Sequence, residues 1–238
     1  ILVSARDAKR APRMLAYQAG TASDGVARQL VSWALREKSE VLEVSQAVLG
    51  KLAAKDNPQT MLGVFPQVWS PPPQITRKAA TETWIALEDV RDPGNLGTIM
   101  RTAHAVGASG VILVGTCCDP FSRECVRATM GSIFSVPLVK LDQAAFLDLM
   151  KSWPGDVVGT HLSGTEDFRH AAYRAPTLLV MGGEGPGLSR VIADACTKLV
   201  KIPMAGNLDS LNLAIATALA LYQIRGPQLV LSKTGSPA

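Results

Sequence analysis

From Glu82 onward, strand-like and helix-like segments alternate, and most of the strands are continuously apolar rather than alternating. These two observations predict an open α/β fold, a parallel sheet covered by helices on both faces. Such a sheet carries its site beyond the C-terminal ends of its strands. Three polar or glycine-rich loops of this region each follow a strand directly.

The elements are predicted in chain order. Residues 1–68 form a small N-terminal α/β domain. It opens on a strand-like Ile1–Ser4, followed by a helix around Gly25–Glu37 and a second helix near Ser45–Ala54. Ser45 is the predicted N-cap of the second helix, with Val48, Leu49 and Leu52 at helical spacing behind it. Met61–Phe65 reads as a closing strand. Residues 69–81 are a linker, because Pro71-Pro72-Pro73 suits neither a helix interior nor a central strand. In the domain at 82–238, strands fall at Trp84–Leu87, Val111–Val114, Pro137–Leu141, Val157–Leu162, Thr177–Met181 and Leu199–Pro203. Helices fall near Leu96–Val106, Glu124–Phe134, Ala144–Trp153, Leu188–Ala195 and Leu208–Ile224.

Composition narrows the function classes. A hydrophobic fraction of 47% over 238 residues gives an ordinary globular core. The net charge of +4 fits an anionic partner without demanding one. Aromatics at 5% argue against a base-stacking platform. Cys117, Cys118, Cys125 and Cys196 form no C-x-x-C pair, and His104, His161 and His170 lack ligand spacing, so reduced thiols and no metal are expected. The longest apolar run, Leu213–Tyr222, is too short for a bilayer, and no signal peptide is visible, so a cytoplasmic protein is expected. The chain starts at Ile1 without an initiator Met, and an N-terminal piece is expected to be missing.

The loops carry the chemistry. In Leu87–Ala108, Pro93-Gly94 turns the chain and a helix opens at Asn95 or just after it, with Leu96, Ile99, Met100, Ala103 and Val106 as its buried stripe. Asn95 and Arg101 together suit a phosphate or ribose; equally, Asn95 is an N-cap and Arg101 a surface charge. In Leu178–Ser189, glycines at 182, 183, 185 and 187 surround Glu184. They let a ligand approach the backbone. The order departs from the dinucleotide G-x-G-x-x-G pattern, which excludes a nicotinamide-dependent oxidoreductase. Glu184 is either an incidental loop charge or a functional carboxylate. In Val200–Gly226 a strand ends at Ile202-Pro203 and a helix starts near Leu208, with Leu211, Ile215, Ala218, Leu219 and Tyr222 as its apolar stripe. Ser210 and Asn212 stand in its first turn, either as site groups or merely solvated, with Asn207 or Asp209 as cap. Its alanines predict tight packing, against a second subunit as one option. Near the N-terminus, Arg6, Lys9, Arg10 and Arg13 face only Asp7 and form either an RNA contact or a solvated turn.

Taken together, the three loops resemble the SpoU/TrmH family of RNA ribose 2′-O-methyltransferases. The matching residues are Asn95, Gly97 and Arg101-Thr102-Ala103, then Met181-Gly182, Glu184-Gly185 and Gly187-Leu188, then Ile202-Pro203-Met204, Gly206 and Ser210-Leu211-Asn212. They occur in the family's order over residues 84–225, and residues 1–68 resemble its ribosomal-protein-like RNA-binding domain more loosely. The resemblance implies a SPOUT-type methyltransferase domain with a C-terminal trefoil knot that binds S-adenosylmethionine. It implies cofactor contacts at Gly182, Gly183, Ile202, Met204 and Leu211, and a catalytic set of Asn95, Arg101, Glu184, Ser210 and Asn212. It also implies a homodimer in which the partner subunit completes each site.

The implied chemistry is transfer of a methyl group to a ribose hydroxyl that must lose its proton. An Arg with a pKa near ~12.5–13.8 is a poor base at neutral pH, so Arg101 is expected to act as base or as a relay assisted by an RNA phosphate. Asn95 is expected to position the ribose. The substrate expected is structured RNA of the 23S ribosomal type, with transfer RNA as the alternative. A catalytically inactive RNA-binding relative is the reading from another class.

Overall fold

The computed structural model describes residues 1–23, 25–53, 59–75, 81–206 and 210–230. The chain divides into two compact units, Ile1–Val68 and Trp69–Ala238.

The first unit contains α1 (Leu2–Asp7), β1 (Met14–Gln18), α2 (Gly25–Arg36), β2 (Glu40–Val44), α3 (Gln46–Ala53) and β3 (Met61–Val64). Its sheet has the order β2-β1-β3, with β2 parallel and β3 antiparallel to β1. Adjacent residues Leu15 and Ala16 of the central strand point to opposite faces and both are buried, so helices cover the sheet on two sides. One sequence expectation is overturned in this unit. Ile1–Ser4 is not a strand; it opens α1, whose buried residue is Ala5. An apolar run this short fits either period, and the Arg6-Asp7 that follows it extends a helix more readily than a strand. In α3, Ser45 Oγ accepts from the Val48 N–H at 3.4 Å as the expected N-cap, and of the apolar residues behind it Leu49 is the buried one.

The second unit contains a seven-stranded sheet in the order β6-β5-β4-β9-β7-β10-β8, with every neighbouring pair parallel. Its strands are β4 (Thr83–Glu88), β5 (Gly110–Val114), β6 (Leu138–Leu141), β7 (Val157–Thr160), β8 (Glu166–Asp167), β9 (Thr177–Met181) and β10 (Lys198–Lys201). Its helices are α4 (Pro93–Ala105), α5 (Arg123–Ala128), α6 (Gln143–Ser152), α7 (Arg190–Ala195) and α8 (Leu213–Arg225). The pleat sorts the apolar run of each strand onto two faces. Ile85 and Leu87 of β4 meet Leu96, Ile99 and Met100 of α4 and Leu221 of α8. Trp84 and Ala86 meet Phe146 of α6 and Ile192 of α7. Continuous apolar strands are what a sheet with two covered faces requires. Among the described residues no helix is long and apolar enough to cross a membrane.

Two helices differ from expectation. The one expected at Glu124–Phe134 ends at Ala128, because Met130 and Gly131 adopt positive φ (50° and 101°) before a short 3-10 turn at Ser132–Phe134. The one expected from Leu208 starts at Leu213 with Asn212 as N-cap, so Ser210 and Asn212 precede its first turn. The alternative caps Asn207 and Asp209 lie outside the described residues, as do 76–80 of the expected linker. Residues 69–75 are attached to the second unit: the Ser70 N–H donates to the Leu138 carbonyl at 2.7 Å, and Ile75 packs on the Trp84 face.

Candidate functional site

A cleft of about 420 Å³ opens where β7, β9 and β10, neighbours in the sheet, reach their C-terminal ends. Its volume is that of a small-molecule site, roughly 300–1,000 Å³. Three segments wall it. After β9 the chain runs through Gly182–Gly187, folded back so that Gly183 bridges Gly187 and the Gly187 N–H donates to the Gly183 carbonyl at 3.2 Å. After β10 come Ile202 and Met204, and ahead of α8 come Ser210, Leu211 and Asn212.

The glycine at 182 is fixed by the loop itself. A Cβ there would stand 1.9 Å from the Gly187 carbonyl carbon and 2.1 Å from the Leu188 nitrogen. The sequence expectation gave the reason as approach of a ligand; the structure assigns it to the backbone of the loop's return. The loop is tied further by Glu88, the buried last residue of β4, which accepts from the Ser189 N–H at 2.8 Å. Ser189 in turn caps α7.

At one wall of the cleft, three polar residues from three loops form a directed chain. Asp92 caps α4, accepting from the Asn95 N–H, with Pro93 at the first helical position. The N-cap is therefore Asp92 and not Asn95, which leaves the Asn95 side chain available. Its Nδ2 donates to Glu184 Oε1 at 2.9 Å, and its Oδ1 accepts from Asn212 Nδ2 at 2.9 Å. Asn212 Oδ1 then accepts from the Ala214 and Ile215 N–H groups at 2.9 and 3.3 Å, capping α8. A carboxylate only accepts, so the order Asn212 to Asn95 to Glu184 fixes which way both amides face.

Glu184 is therefore a structured carboxylate. Partial burial alone would raise its pKa, but hydrogen bonds from the Arg91 N–H and the Asn95 amide outweigh it and hold the pKa below the ordinary value of 4.5. The N-terminus of α4 beside it favours the same charged form. The thiols behave oppositely: burial pushes Cys118 up to about 11 and Cys125 and Cys196 up to about 12. All three are protonated at neutral pH. Among the described residues no group of three or more His, Cys, Asp or Glu side chains could hold a metal ion.

Of the residues singled out in the sequence, the structure brings Gly182, Gly183, Glu184, Ile202, Met204, Ser210, Leu211 and Asn212 to the cleft, with Asn95 one hydrogen bond behind. It does not bring Arg101. Six residues beyond Asn95, Arg101 lies about 240° round the helix. It is exposed, with no hydrogen bond or ion pair among the described residues. Thr160, His161 and Lys201 also line the cleft. They carry no motif; their only signal is a place at the end of a predicted strand.

The stripe expected to bury α8 is on the wrong face. Ile215, Leu219 and Tyr222 are 55%, 42% and 53% exposed, whereas Leu213, Ala214, Thr217, Ala220, Leu221 and Ile224 are buried. With the Thr98 and Thr102 face of α4, the exposed stripe lines an apolar groove of about 320 Å³. In the first unit, Arg6 donates to Asp7 and to Gln29 Oε1, while Lys9, Arg10 and Arg13 are exposed.

A parallel α/β domain with a small-molecule cleft at three adjacent strand ends, walled by a glycine loop, the segment after β10 and the N-terminus of α8, defines a ligand-binding domain. Residues 82–222 match the model of the SpoU rRNA Methylase family, and the chain belongs to that family. It is 34% identical over 195 residues to an uncharacterised tRNA/rRNA methyltransferase of Synechocystis, covering 81% of this chain and 69% of that protein. Among solved structures, the AdoMet-bound rRNA methyltransferase from Sinorhizobium meliloti superposes with a TM-score of 0.88 at 42% identity, covering 96% of this chain and 85% of that one. The SpoU methyltransferase AviRb from Streptomyces viridochromogenes, in complex with AdoMet, gives 0.82 at 28% identity, covering 95% and 87%.

Proposed function

We propose that this protein is an RNA ribose 2′-O-methyltransferase that uses S-adenosylmethionine, with structured RNA of the 23S ribosomal type as its substrate. The observation that carries this reading is the cleft itself, in which all five expected cofactor residues meet Glu184, Ser210 and Asn212. At Gly185 and Gly187 no atom stands within 4 Å of where a Cβ would be, which leaves the backbone of the loop open to a ligand there. The AdoMet-bound relatives support the choice of ligand.

S-adenosylmethionine, when bound, supplies a methyl group activated on a sulfonium. Gly182, Gly183, Ile202, Met204 and Leu211 would hold it. The remaining work belongs to side chains. Asn95, whose amide is fixed in one orientation, positions the ribose; Ser210 and Asn212 hold the loop edges and substrate. Arg101 removes the hydroxyl proton or relays it through an RNA phosphate, and orientation of the two reactants supplies much of the acceleration.

Because Arg101 lies on the exposed side of α4, it serves the cleft of a second copy. We infer a homodimer in which the exposed stripe of α8 and the Thr98–Thr102 face of α4 are covered by the partner, and a C-terminal segment from β9 to α8 threaded as a trefoil knot. In support of threading, β9 lies inside the sheet between β4 and β7, and α7 and α8 lie on opposite faces. The first unit serves RNA binding, with Arg6, Lys9, Arg10 and Arg13 as the basic set expected from the sequence. Mapping of 2′-O-methyl sites in ribosomal and transfer RNA from cells with and without the gene tests the assignment. One missing site in ribosomal RNA is expected; a missing site in transfer RNA alone moves the substrate, and an unchanged map overturns the function.

A further inference from the structure

In the first unit, α1 and α2 enclose a groove of about 340 Å³ lined by Arg6, Arg28, Gln29, Ser32 and Arg36. Among the described residues no apolar and no acidic side chain lines it. On α2 the four residues at 28, 29, 32 and 36 fall within about 100° of arc, one face of the helix. Residues 25–36 contain no acidic residue at all, so this face lacks the mixed signs of an ordinary solvated helix surface. From α1, Arg6 reaches across to Gln29 Oε1 at 3.3 Å and is the only one of the three arginines with an ion pair among the described residues, to Asp7 at 3.1 Å. Three permanently charged guanidiniums thus converge on one groove, and among the described residues Asp7 is the one carboxylate paired with them.

We propose that this groove is a phosphate-contact site for the backbone of the RNA substrate. The proposal rests on the reading of the protein as an RNA-binding enzyme and adds the place and residues of contact. Guanidinium forks match phosphate oxygens in pairs, and the Gln29 amide and Ser32 hydroxyl suit sugar or phosphate oxygens. The length of the groove decides between a polymer and a free ion. Arg28 and Arg36 are eight residues apart, about 12 Å along the helix, far more than one phosphate spans and enough for several in succession. No local run of charge announces the site, because Arg6 and the α2 pair are separated in sequence. The groove contains Arg6 but not Lys9, Arg10 or Arg13, so those three are left outside it.

The test measures affinity of the full chain for a structured 23S ribosomal RNA fragment across 50–200 mM salt. The variants are R6Q/R28Q/R36Q, its lysine counterpart R6K/R28K/R36K and, for comparison, K9Q/R10Q/R13Q. Circular dichroism and thermal unfolding check that each is folded. Loss of three phosphate contacts is expected to lower the slope of log affinity against log salt by about 2–3. The Lys variant should keep most of that slope, and the comparison variant, which removes the rest of the basic set expected from the sequence, should lower it by a separate amount of its own. Should the groove variant fail to fold, the Lys variant paired with single Arg28→Gln and Arg36→Gln changes, each expected to lower the slope by about 0.7–0.9, decides the matter. A slope unchanged in the groove variants, or lowered only in K9Q/R10Q/R13Q, overturns the proposal. Binding of inorganic phosphate that is lost in the groove variant, with RNA binding untouched, assigns the groove to a free anion and overturns it too. A wild type that binds no RNA overturns both this proposal and the RNA reading beneath it, whereas normal RNA binding with an unchanged slope overturns the groove alone.

Discussion

Asn212 donates its side-chain amide to Asn95 at 2.9 Å across 117 residues of chain, and Asn95 passes the interaction on to Glu184. The N-termini of α4 and α8 and the glycine loop are thereby registered to one another. Removing the central member breaks two hydrogen bonds, one of them to a carboxylate. Asn95→Ala is expected to cost about 1–3 kcal/mol of stability by urea unfolding and to lower methyl transfer strongly. Asn95→Asp is expected to be worse at neutral pH, because it sets a second carboxylate against Glu184. Equal stability of the two variants at pH 7 would count against the chain.

Glu184 gives a pH signature whose sign follows from its depressed pKa. Its folded pKa lies below the ordinary 4.5, so its stabilising contribution is fully present above that value and is lost as pH falls through the folded pKa. The stability difference between wild type and Glu184→Gln should therefore be constant from pH 5 to 8 and shrink on acidification below pH 4.5. A difference that instead grew on acidification would mean that the folded state favours the protonated acid.

At Gly182 the backbone clash of an added Cβ predicts loss of the loop rather than a simple block to the ligand. Gly182→Ala places a Cβ against backbone that cannot swing away, so unfolding should show a loss of about 1–3 kcal/mol together with loss of S-adenosylmethionine binding by calorimetry. Leu211→Ala, at an exposed lining position, should weaken cofactor binding with stability nearly unchanged. Full stability in Gly182→Ala would show that the loop has another conformation.

The exposed stripe of α8 predicts the oligomer. Light scattering should give about twice the 25.2 kDa chain mass for the wild type and a single chain mass for Ile215→Asp with Leu219→Asp. A wild type that is monomeric and fully active at micromolar concentration would contradict the shared site.

Legibility in the sequence followed burial. Every predicted strand of the second unit lies within two residues of an observed one, since a sheet covered on both faces writes itself as uninterrupted apolar runs. The first unit was less legible: β1 and β2 were not anticipated, and β2 reads Glu-Val-Leu-Glu-Val, a mostly exposed strand with charges inside. The face of α8 was inverted because Leu213–Arg225 is apolar on nearly every side, which leaves periodicity nothing to choose between. In the candidate site, Gly, Ile, Met and Leu were found through motif order, not through their own chemistry. Gly97, matched by the same motif, answers to packing: a Cβ there would stand 2.6 Å from the Cys125 carbonyl oxygen of α5. What the sequence could not provide was side-chain direction, and so it grouped Arg101 with Asn95 on a helix that separates them.

Arg101 is where the whole account is most exposed to contradiction. The decisive measurement is transfer of a labelled methyl group from S-adenosylmethionine to RNA, followed by nucleoside analysis, for wild type, Arg101→Ala and Arg101→Lys. The wild type is predicted to yield a 2′-O-methylated nucleoside. Arg101→Ala, at an exposed position without partners among the described residues, should fold and bind cofactor normally yet transfer nothing. Arg101→Lys should fail as well, since a point charge does not reproduce the planar fork. A methylated base in place of a methylated ribose, or full transfer by Arg101→Ala, would contradict the account.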